Sequence, residues 1–283
     1  MAKKKLTAIE KKAKAAREAA LELGGLRHSK RRAALKEIAK ALRARSGEIV
    51  KANEADVKDA RSEVDAGKMS QALLKRLMAD ANKVKGMATG VESVAKLADP
   101  VGRKTFEMEL DDGLVLERVT CPIGVVGAVF ESRPDAVPQI SALCLKSGNA
   151  VLLKGGAEAK RSNRKLVEII SEAAAQVEGV PDGWVQLIET REEVKAVLGL
   201  DEYVDLLVPR GSNKFVKYIQ DNTSIPVLGH ADGICHVYVD RWAKTERALN
   251  VALDSKIQYP AACNAAETLL VHKNIAKSLD RKS

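Results

Sequence analysis

Apolar residues recur every three or four positions through the first third of the chain, a spacing typical of amphipathic helices. One such stripe runs over residues 6–23 and a second over 35–42. Serines suited to cap a helix N-terminus precede two further apolar patterns. We therefore predict additional helices over residues 46–57 and 70–84.

The hydrophobic period changes from helical to alternating after residue 100. Residues 106–110 and 114–119 each alternate apolar and polar side chains, and Asp111-Asp112-Gly113 lies between them. Two alternating runs that flank a turn sequence of this kind predict a β-hairpin.

Short apolar runs alternate with helical patterns from residue 122 onward. The predicted strands cover residues 123–130, 149–153, 184–188, 204–208 and 234–239. The predicted helices cover residues 136–145, 164–177, 192–198, 215–219 and 245–252. Strands that alternate with helices indicate an α/β fold with a mostly parallel sheet. Ligands of such sheets bind beyond the carboxyl ends of the strands.

The net charge of +9 over 283 residues is concentrated near the N-terminus. Residues 1–45 hold 15 Lys or Arg and four Glu, so the rest of the chain carries a net charge of −2. A basic segment can attract nucleic acid, but here the amphipathic pattern favours a solvated helix face. Aromatic residues make up only 3% of the chain, and no nucleic-acid-binding motif accompanies the charge. We expect no nucleic-acid partner.

The apolar runs and the cysteines limit where the protein can reside. The longest run of apolar residues and glycine covers 123–130, far short of the roughly 20 residues of a membrane span. The four cysteines are scattered, and none has the spacing of a disulfide framework or a zinc site. We expect a reduced cytoplasmic protein that binds neither membrane nor metal.

Two strand-to-loop junctions carry residues that could hold a ligand. The strand before Lys154 delivers this lysine into the turn Gly155-Gly156, where it could fix an anion or a ribose hydroxyl. A later strand leads into Gly211-Ser212 at a helix start, where free N–H groups favour a phosphate. A surface lysine beside a tight turn and an ordinary helix cap are the alternatives. Neither junction matches a standard nucleotide fingerprint.

A cysteine in a polar loop is the candidate nucleophile. Cys263 lies among small residues in Tyr259-Pro-Ala-Ala-Cys-Asn264, which leaves its thiol approachable. A buried, inert thiol is the alternative for any single cysteine. Cys121, Cys144 and Cys235 are interpreted as structural.

Five segments together resemble the γ-glutamyl phosphate reductases of the aldehyde dehydrogenase superfamily, and the reductase half of the bifunctional pyrroline-5-carboxylate synthases. They cover residues 122–135, 146–156, 208–213, 225–236 and 259–271. The resemblance implies an aldehyde-dehydrogenase-like fold. Its Rossmann-type NADP-binding domain would span residues 1–239, with N-terminal helices and a hairpin oligomerisation arm at 105–120. Residues 240–283 would begin a truncated α/β catalytic domain whose C-terminal remainder is absent.

The resemblance also implies roles for single residues. Cys263 matches the catalytic cysteine, and Asn264 together with Cys263 would offer backbone N–H groups to the oxyanion. Lys154, followed by Gly155, matches the lysine that holds the adenosine ribose. Gly211 and Ser212 match the Gly-Ser that receives the pyrophosphate.

Three positions depart from typical aldehyde dehydrogenases. Val227 replaces the glutamate that activates water, which would protect a thioester from hydrolysis. Ala157 replaces the acidic residue that would repel a 2′-phosphate, so NADPH is favoured over NADH although Glu158 is adjacent. Glu131 aligns with the oxyanion asparagine, so no oxyanion side chain is assigned.

The implied activity is the NADPH-dependent reduction of L-glutamyl 5-phosphate to L-glutamate 5-semialdehyde in proline biosynthesis, through a thioester on Cys263. Arg133 and Arg210 would assist phosphate departure or bind the substrate carboxylate, with structural ion pairs as the alternative. A homo-oligomer acting on a small-molecule substrate is expected. The alternatives are another aldehyde or acyl-CoA dehydrogenase, an inactive truncated chain, or a basic nucleic-acid-binding protein.

Overall fold

The chain forms two compact units, Met1–His230 and Ala231–Ser283. A computed structural model describes residues 6–131, 133–211, 213–229, 233–260, 262 and 264–280. The sequence predicts a domain boundary after residue 239, whereas the structure divides the chain earlier. The reason is that the strand His236–Val239 pairs with Thr268–Val271 inside the second unit.

Five helices make up the N-terminal part of the first unit. They are α1 (Ala8–Gly25), α2 (His28–Ala44), α3 (Ser46–Asp65), α4 (Gln71–Leu77) and α5 (Ala81–Lys96). Both predicted N-terminal stripes are buried, so the prediction of solvated basic helix faces is confirmed. The exception is Arg31, which is only 3% exposed. Within the described residues, no helix has the length and apolarity that a membrane span requires.

Helices α3 and α4 differ in extent from the prediction. Ser46 is the first residue of α3 rather than its cap, and α3 continues to Asp65. Ser70 does cap a helix, but that helix ends at Leu77. The break is stabilised by the buried Asn53, whose amide donates to the carbonyl of Leu77 at 2.9 Å and accepts the N–H of Ala79 at 2.7 Å. A contact from α3 therefore ends α4 at a point where the hydrophobic periodicity alone predicts that the helix continues.

The predicted hairpin is confirmed. Strands β1 (Lys104–Asp111) and β2 (Leu114–Val119) pair antiparallel, and Gly113 takes the positive φ of 71° that the turn requires. Every residue of both strands is exposed in the first unit as described.

A four-stranded parallel sheet forms the centre of the first unit. It comprises β3 (Val125–Val129), β4 (Ala150–Lys154), β5 (Val185–Leu187) and β6 (Leu206–Pro209). The spatial order is β5-β4-β3-β6, which is the order of a dinucleotide-binding fold. A parallel bridge from Leu207 to Val227 extends the sheet beyond β6. The predicted strands of this sheet are confirmed.

Helices cover this sheet as a parallel arrangement requires. They are α6 (Ala136–Lys146), α7 (Lys160–Ala175), α8 (Arg191–Val197) and α9 (Asn213–Asp221). Helices α6 and α7 pack against each other and against α2, whereas α1 packs against β3, β4 and β5 and against α8. Because β3 and β4 are each buried over four of their five residues, the core lies around these two strands.

The second unit is small. Strand β7 (His236–Val239) pairs in parallel with β8 (Thr268–Val271), and α10 (Thr245–Ile257) and α11 (Lys273–Asp280) accompany them. Its buried apolar residues are Val239, Ile275 and Leu279. Strand β8 and helix α11 were not predicted from the sequence pattern.

Candidate active site

A cleft of about 470 Å³ opens at the carboxyl ends of the four parallel strands. The residues that follow β3, β4, β5 and β6 line it: Phe130 and Glu131, then Gly156 to Glu158, Glu189 to Arg191, and Arg210 with Gly211. The chain leaves β3 toward β4 on one side, while β6 lies on the other side of β3. Such a switch point is where open α/β sheets bind their ligands.

Lys154 is the last residue of β4 and lines the cleft. Its Nζ donates a hydrogen bond of 2.6 Å to the carbonyl of Gly155. Burial lowers the pKa of Lys154; the Glu158 carboxylate opposes this effect, and the Arg191 guanidinium adds to it. The structure thus brings Lys154, Glu158 and Arg191 into one electrostatic neighbourhood.

Two glycines at the cleft have close neighbours: Gly155, which follows the lining residue Lys154, and Gly211, which lines the cleft itself. A Cβ on Gly155 would collide with the amide of Asn163 and would lie 3.0 Å from Cε2 of Phe130. A Cβ on Gly211 would lie 3.2 Å from Cδ1 of Phe215. Gly155 therefore has room for hydrogen only, whereas an alanine at Gly211 would press on the Phe215 ring. Bare glycine backbone, as at Gly211, can approach a diphosphate closely. The lining therefore fits a dinucleotide. Ser212, the other predicted pyrophosphate contact, lies outside the described residues.

The two arginines predicted for the substrate are placed differently. Arg210 lines the cleft and holds the end of β6 against β3, since its N–H donates to the carbonyl of Val129 at 2.7 Å. The side chain of Arg133 is 59% exposed and pairs with Asp135 at 3.3 Å. Arg133 is not among the described residues that line the cleft.

The cysteine loop belongs to the second unit and connects α10 to β8. Cys263 itself lies outside the described residues. Among its described neighbours, the N–H of Ala262 donates to the carbonyl of Tyr259 at 3.0 Å, and the N–H of Ala265 donates to the carbonyl of Ala262 at 3.1 Å. Asn264, predicted to support the oxyanion, is exposed.

The three other cysteines differ in how deeply they are buried. Cys144 is buried in α6, and burial raises the pKa of its thiol to about 12, so it is inert as interpreted from the sequence. Cys235 is partly buried, whereas Cys121, between β2 and β3, is exposed. Cys121 therefore lacks the burial that a structural cysteine would have.

The sequence analysis did not predict the part of the cleft that follows β5. Glu189, Thr190 and Arg191 follow β5 just as the predicted junctions follow β4 and β6. Thr190 begins a capping box with Glu193, which fixes the start of α8. A strand followed by a capping box was the available signal.

With the fold and the cleft established, comparison with known proteins identifies the class. Residues 1–282 match the aldehyde dehydrogenase family, and the chain belongs to this family. The predicted aldehyde-dehydrogenase-like α/β fold is thereby confirmed. Membership implies a nicotinamide cofactor, in agreement with the dinucleotide fit of the cleft.

Within the family, the chain is similar to γ-glutamyl phosphate reductases, as its five motifs predict. It is 52% identical over 269 residues to the enzyme of that name from Methanosarcina mazei. This match covers 95% of the chain and 60% of the relative, so the chain spans about three fifths of the relative's length.

Two solved structures of γ-glutamyl phosphate reductases share the fold. The Thermotoga maritima structure has a TM-score of 0.89 and 36% identity, covering 98% of this chain and 67% of the other. The Saccharomyces cerevisiae structure has a TM-score of 0.73 and 42% identity, covering 98% of this chain and 70% of the other.

Proposed function

We propose that the protein reduces L-glutamyl 5-phosphate to L-glutamate 5-semialdehyde and phosphate, as a step of proline biosynthesis. The observation that carries this proposal is the 52% identity to a γ-glutamyl phosphate reductase over 95% of the chain. The cleft at the carboxyl ends of the strands, which Lys154 and Gly211 line, supports it.

The first unit would hold the cofactor, and the second unit would belong to the catalytic domain. Lys154 would bind the adenosine ribose with Gly155 beside it, and the Gly211-Ser212 segment would receive the pyrophosphate. When bound, NADPH would supply the hydride for the reduction. The choice of NADPH over NADH is supported by Ala157, an uncharged residue at the cleft where a carboxylate would repel a 2′-phosphate.

The reaction would proceed through a covalent acyl group on Cys263. Its thiolate attacks the γ-acyl carbon, so that a C–S bond forms while the C–O bond to phosphate breaks and phosphate leaves. Backbone N–H groups of Cys263 and Asn264 would stabilise the oxyanion. Two-electron reduction of the thioester gives a hemithioacetal. Its collapse breaks the C–S bond, releases the semialdehyde and returns the thiolate.

Val227 supports acyl transfer rather than hydrolysis. This residue aligns with the water-activating glutamate of typical aldehyde dehydrogenases, but here it bridges to Leu207 and packs against the core of the first unit. A valine side chain has no group that can accept a proton from water. Arg210, at the cleft, would attract the leaving phosphate or the substrate carboxylate. Arg133, whose side chain is exposed, would contribute only if the substrate extends to the segment between β3 and α6.

The protein would form a homo-oligomer and would reside in the cytoplasm. The hairpin exposes Phe106, Met108 and Leu116, a surface suited to a second copy of the chain. Free thiols at Cys121 and Cys144 are compatible with a reducing compartment.

The test is the reverse reaction, semialdehyde oxidation with NADP⁺, with and without phosphate. We expect phosphate-dependent activity that Cys263→Ala abolishes and the matched Cys121→Ala retains, both variants binding NADP⁺. Phosphate-independent oxidation would instead indicate a hydrolytic aldehyde dehydrogenase, and a requirement for coenzyme A would indicate an acyl-CoA reductase. Cofactor binding without any turnover would indicate an inactive chain.

A further inference from the structure

Arg191 is a cleft residue to which neither the motifs nor the family resemblance assigns a role. It directly follows Thr190, the cap of α8, and lines the same cleft as Lys154. Its position is fixed by the capping box, since the Thr190 hydroxyl accepts the N–H of Glu193 at 3.1 Å and the Glu193 carboxylate accepts the N–H of Thr190 at 3.0 Å.

Whether the guanidinium of Arg191 can bind a ligand depends on the carboxylates around it. Two neighbouring acids have other partners: Glu189 forms a two-pronged ion pair with Arg164, and Glu193 pairs with Lys12 at 3.2 Å. The pKa of the adjacent Glu192 is lowered first by a backbone hydrogen bond, and the charge of Arg191 makes a smaller contribution. Within the described chain, no ion pair involves Arg191. A charged side chain at a cleft without such a pair is available to a ligand.

Sheet topology places Arg191 on the side of the cleft where the ribose would bind. Strand β5, which precedes Arg191, is hydrogen-bonded to β4, which ends at Lys154. Arg210 follows β6, on the far side of β3. A ribose held by Lys154 would therefore have Arg191, rather than Arg210, as its nearby arginine.

A carboxylate in the same neighbourhood makes the choice of cofactor depend on this arginine. Glu158 lines the cleft, and its carboxylate lies directly against Gly156, where a Cβ would collide with it. The negative charge of Glu158 repels a 2′-phosphate and offsets the positive charge of Lys154. A second cation is therefore needed for the cleft to attract this doubly charged group.

We propose that Arg191 binds the 2′-phosphate of NADPH and sets the preference for NADPH over NADH. This inference rests on the proposed NADPH-dependent function. Guanidinium and phosphate match in a two-pronged hydrogen-bonded geometry that an ammonium group cannot reproduce.

Equilibrium binding to the 283-residue chain tests the assignment. Calorimetry measures the affinity for four probes. NADP⁺ is compared with NAD⁺, and adenosine 2′,5′-bisphosphate is compared with AMP, which lacks the 2′-phosphate. Arg191→Ala is expected to weaken NADP⁺ and the bisphosphate by about 10- to 100-fold and NAD⁺ by less than about 2-fold. Arg191→Lys is expected to be intermediate.

Lys195→Ala is the matched control, because it removes one positive charge from an exposed position one turn further along α8 that does not line the cleft. This control should bind all four probes as the parent does. If the parent prefers NADP⁺ and Arg191→Ala keeps that preference, the assignment is wrong while the proposed function stands. A parent that binds NADP⁺ no better than NAD⁺, or binds no probe, overturns both. Equal losses for NADP⁺ and NAD⁺ in a folded Arg191→Ala variant also overturn the assignment.

Discussion

Lys146 Nζ lies 2.7 Å from Nε2 of His28, which ties the end of α6 to the start of α2. The ammonium also donates to the carbonyls of Ala95 at 3.3 Å and Leu97 at 2.5 Å. Lys146 is only 3% exposed. A buried ammonium that donates to an imidazole requires that ring to be neutral, which links the packing of these helices to pH.

We expect the protein to lose stability below about pH 6.5 through this contact. Burial, the Lys146 ammonium and the Arg31 and Arg32 guanidiniums lower the pKa of His28 from its usual 6.5, although Asp99 opposes them. The unfolded chain then binds a proton more readily than the folded one. The stabilising contribution is therefore present above pH 6.5 and is lost as pH falls toward the folded pKa.

Urea unfolding of the parent and of His28→Gln at pH 7.5 and 5.5 measures this effect. The parent should lose more stability between the two pH values than His28→Gln does. His272→Gln, in the second unit, should behave as the parent. An unchanged pH dependence in His28→Gln would show that other groups cause the loss.

Asp56 caps a helix that it does not belong to, and its removal should destabilise the first unit. This carboxylate on α3 is 2% exposed and accepts the N–H of Ser162 at 2.8 Å and its hydroxyl at 2.7 Å, in the first turn of α7. Asp56→Ala leaves these buried donors unsatisfied, and we expect a loss of about 2 kcal/mol or more in the free energy of unfolding. Asp59→Ala removes only an exposed partner of Arg161 and should cost less than about 1 kcal/mol. Equal effects in urea titrations would contradict the capping role.

Gly211→Ala should weaken cofactor binding without unfolding the protein. Gly211 is not among the positive-φ glycines of the described chain, so alanine is compatible with its backbone. Its Cβ would lie 3.2 Å from Cδ1 of Phe215 and would occupy the cleft surface. We expect about a tenfold loss in NADP⁺ affinity and a similar melting temperature. Gly90→Ala, in open space on α5, should bind normally and be slightly more stable. Unchanged NADP⁺ affinity in Gly211→Ala would remove this turn from the binding site.

The apolar face of the hairpin should control self-association. Met108 pairs with Leu116 across the two strands, and both side chains are nearly half exposed, at 45% and 46%. Met108→Lys is expected to shift the protein toward monomer in light-scattering measurements. Val115→Lys, opposite Glu109 on the other face, makes the same chemical change and should leave the mass unchanged. A parent that is already monomeric at high concentration would refute the oligomerisation role.

Local patterns predicted the sheet because buried parallel strands appear as short apolar runs between helical patterns. They failed where a distant residue decides the structure. The helix break at Leu77 depends on Asn53, which lies 24 positions earlier in the chain, and no local pattern contains that contact. Arg191 was missed because an arginine after a capping threonine is ordinary until the sheet order places it near Lys154. The roles of Cys263, Asn264 and Ser212 remain predictions from the motifs.

The capping of α7 by α3 has a consequence for attempts to shorten the chain. Asp56 and Asn53, through Ser162, anchor the helix start directly after Ala157 and Glu158, which form one wall of the nucleotide cleft. The N-terminal helix α3 therefore supports one wall of the cleft, although it contributes no residue to the described lining. A minimal nucleotide-binding fragment would have to keep α3, even though every described lining residue of that cleft comes later in the sequence.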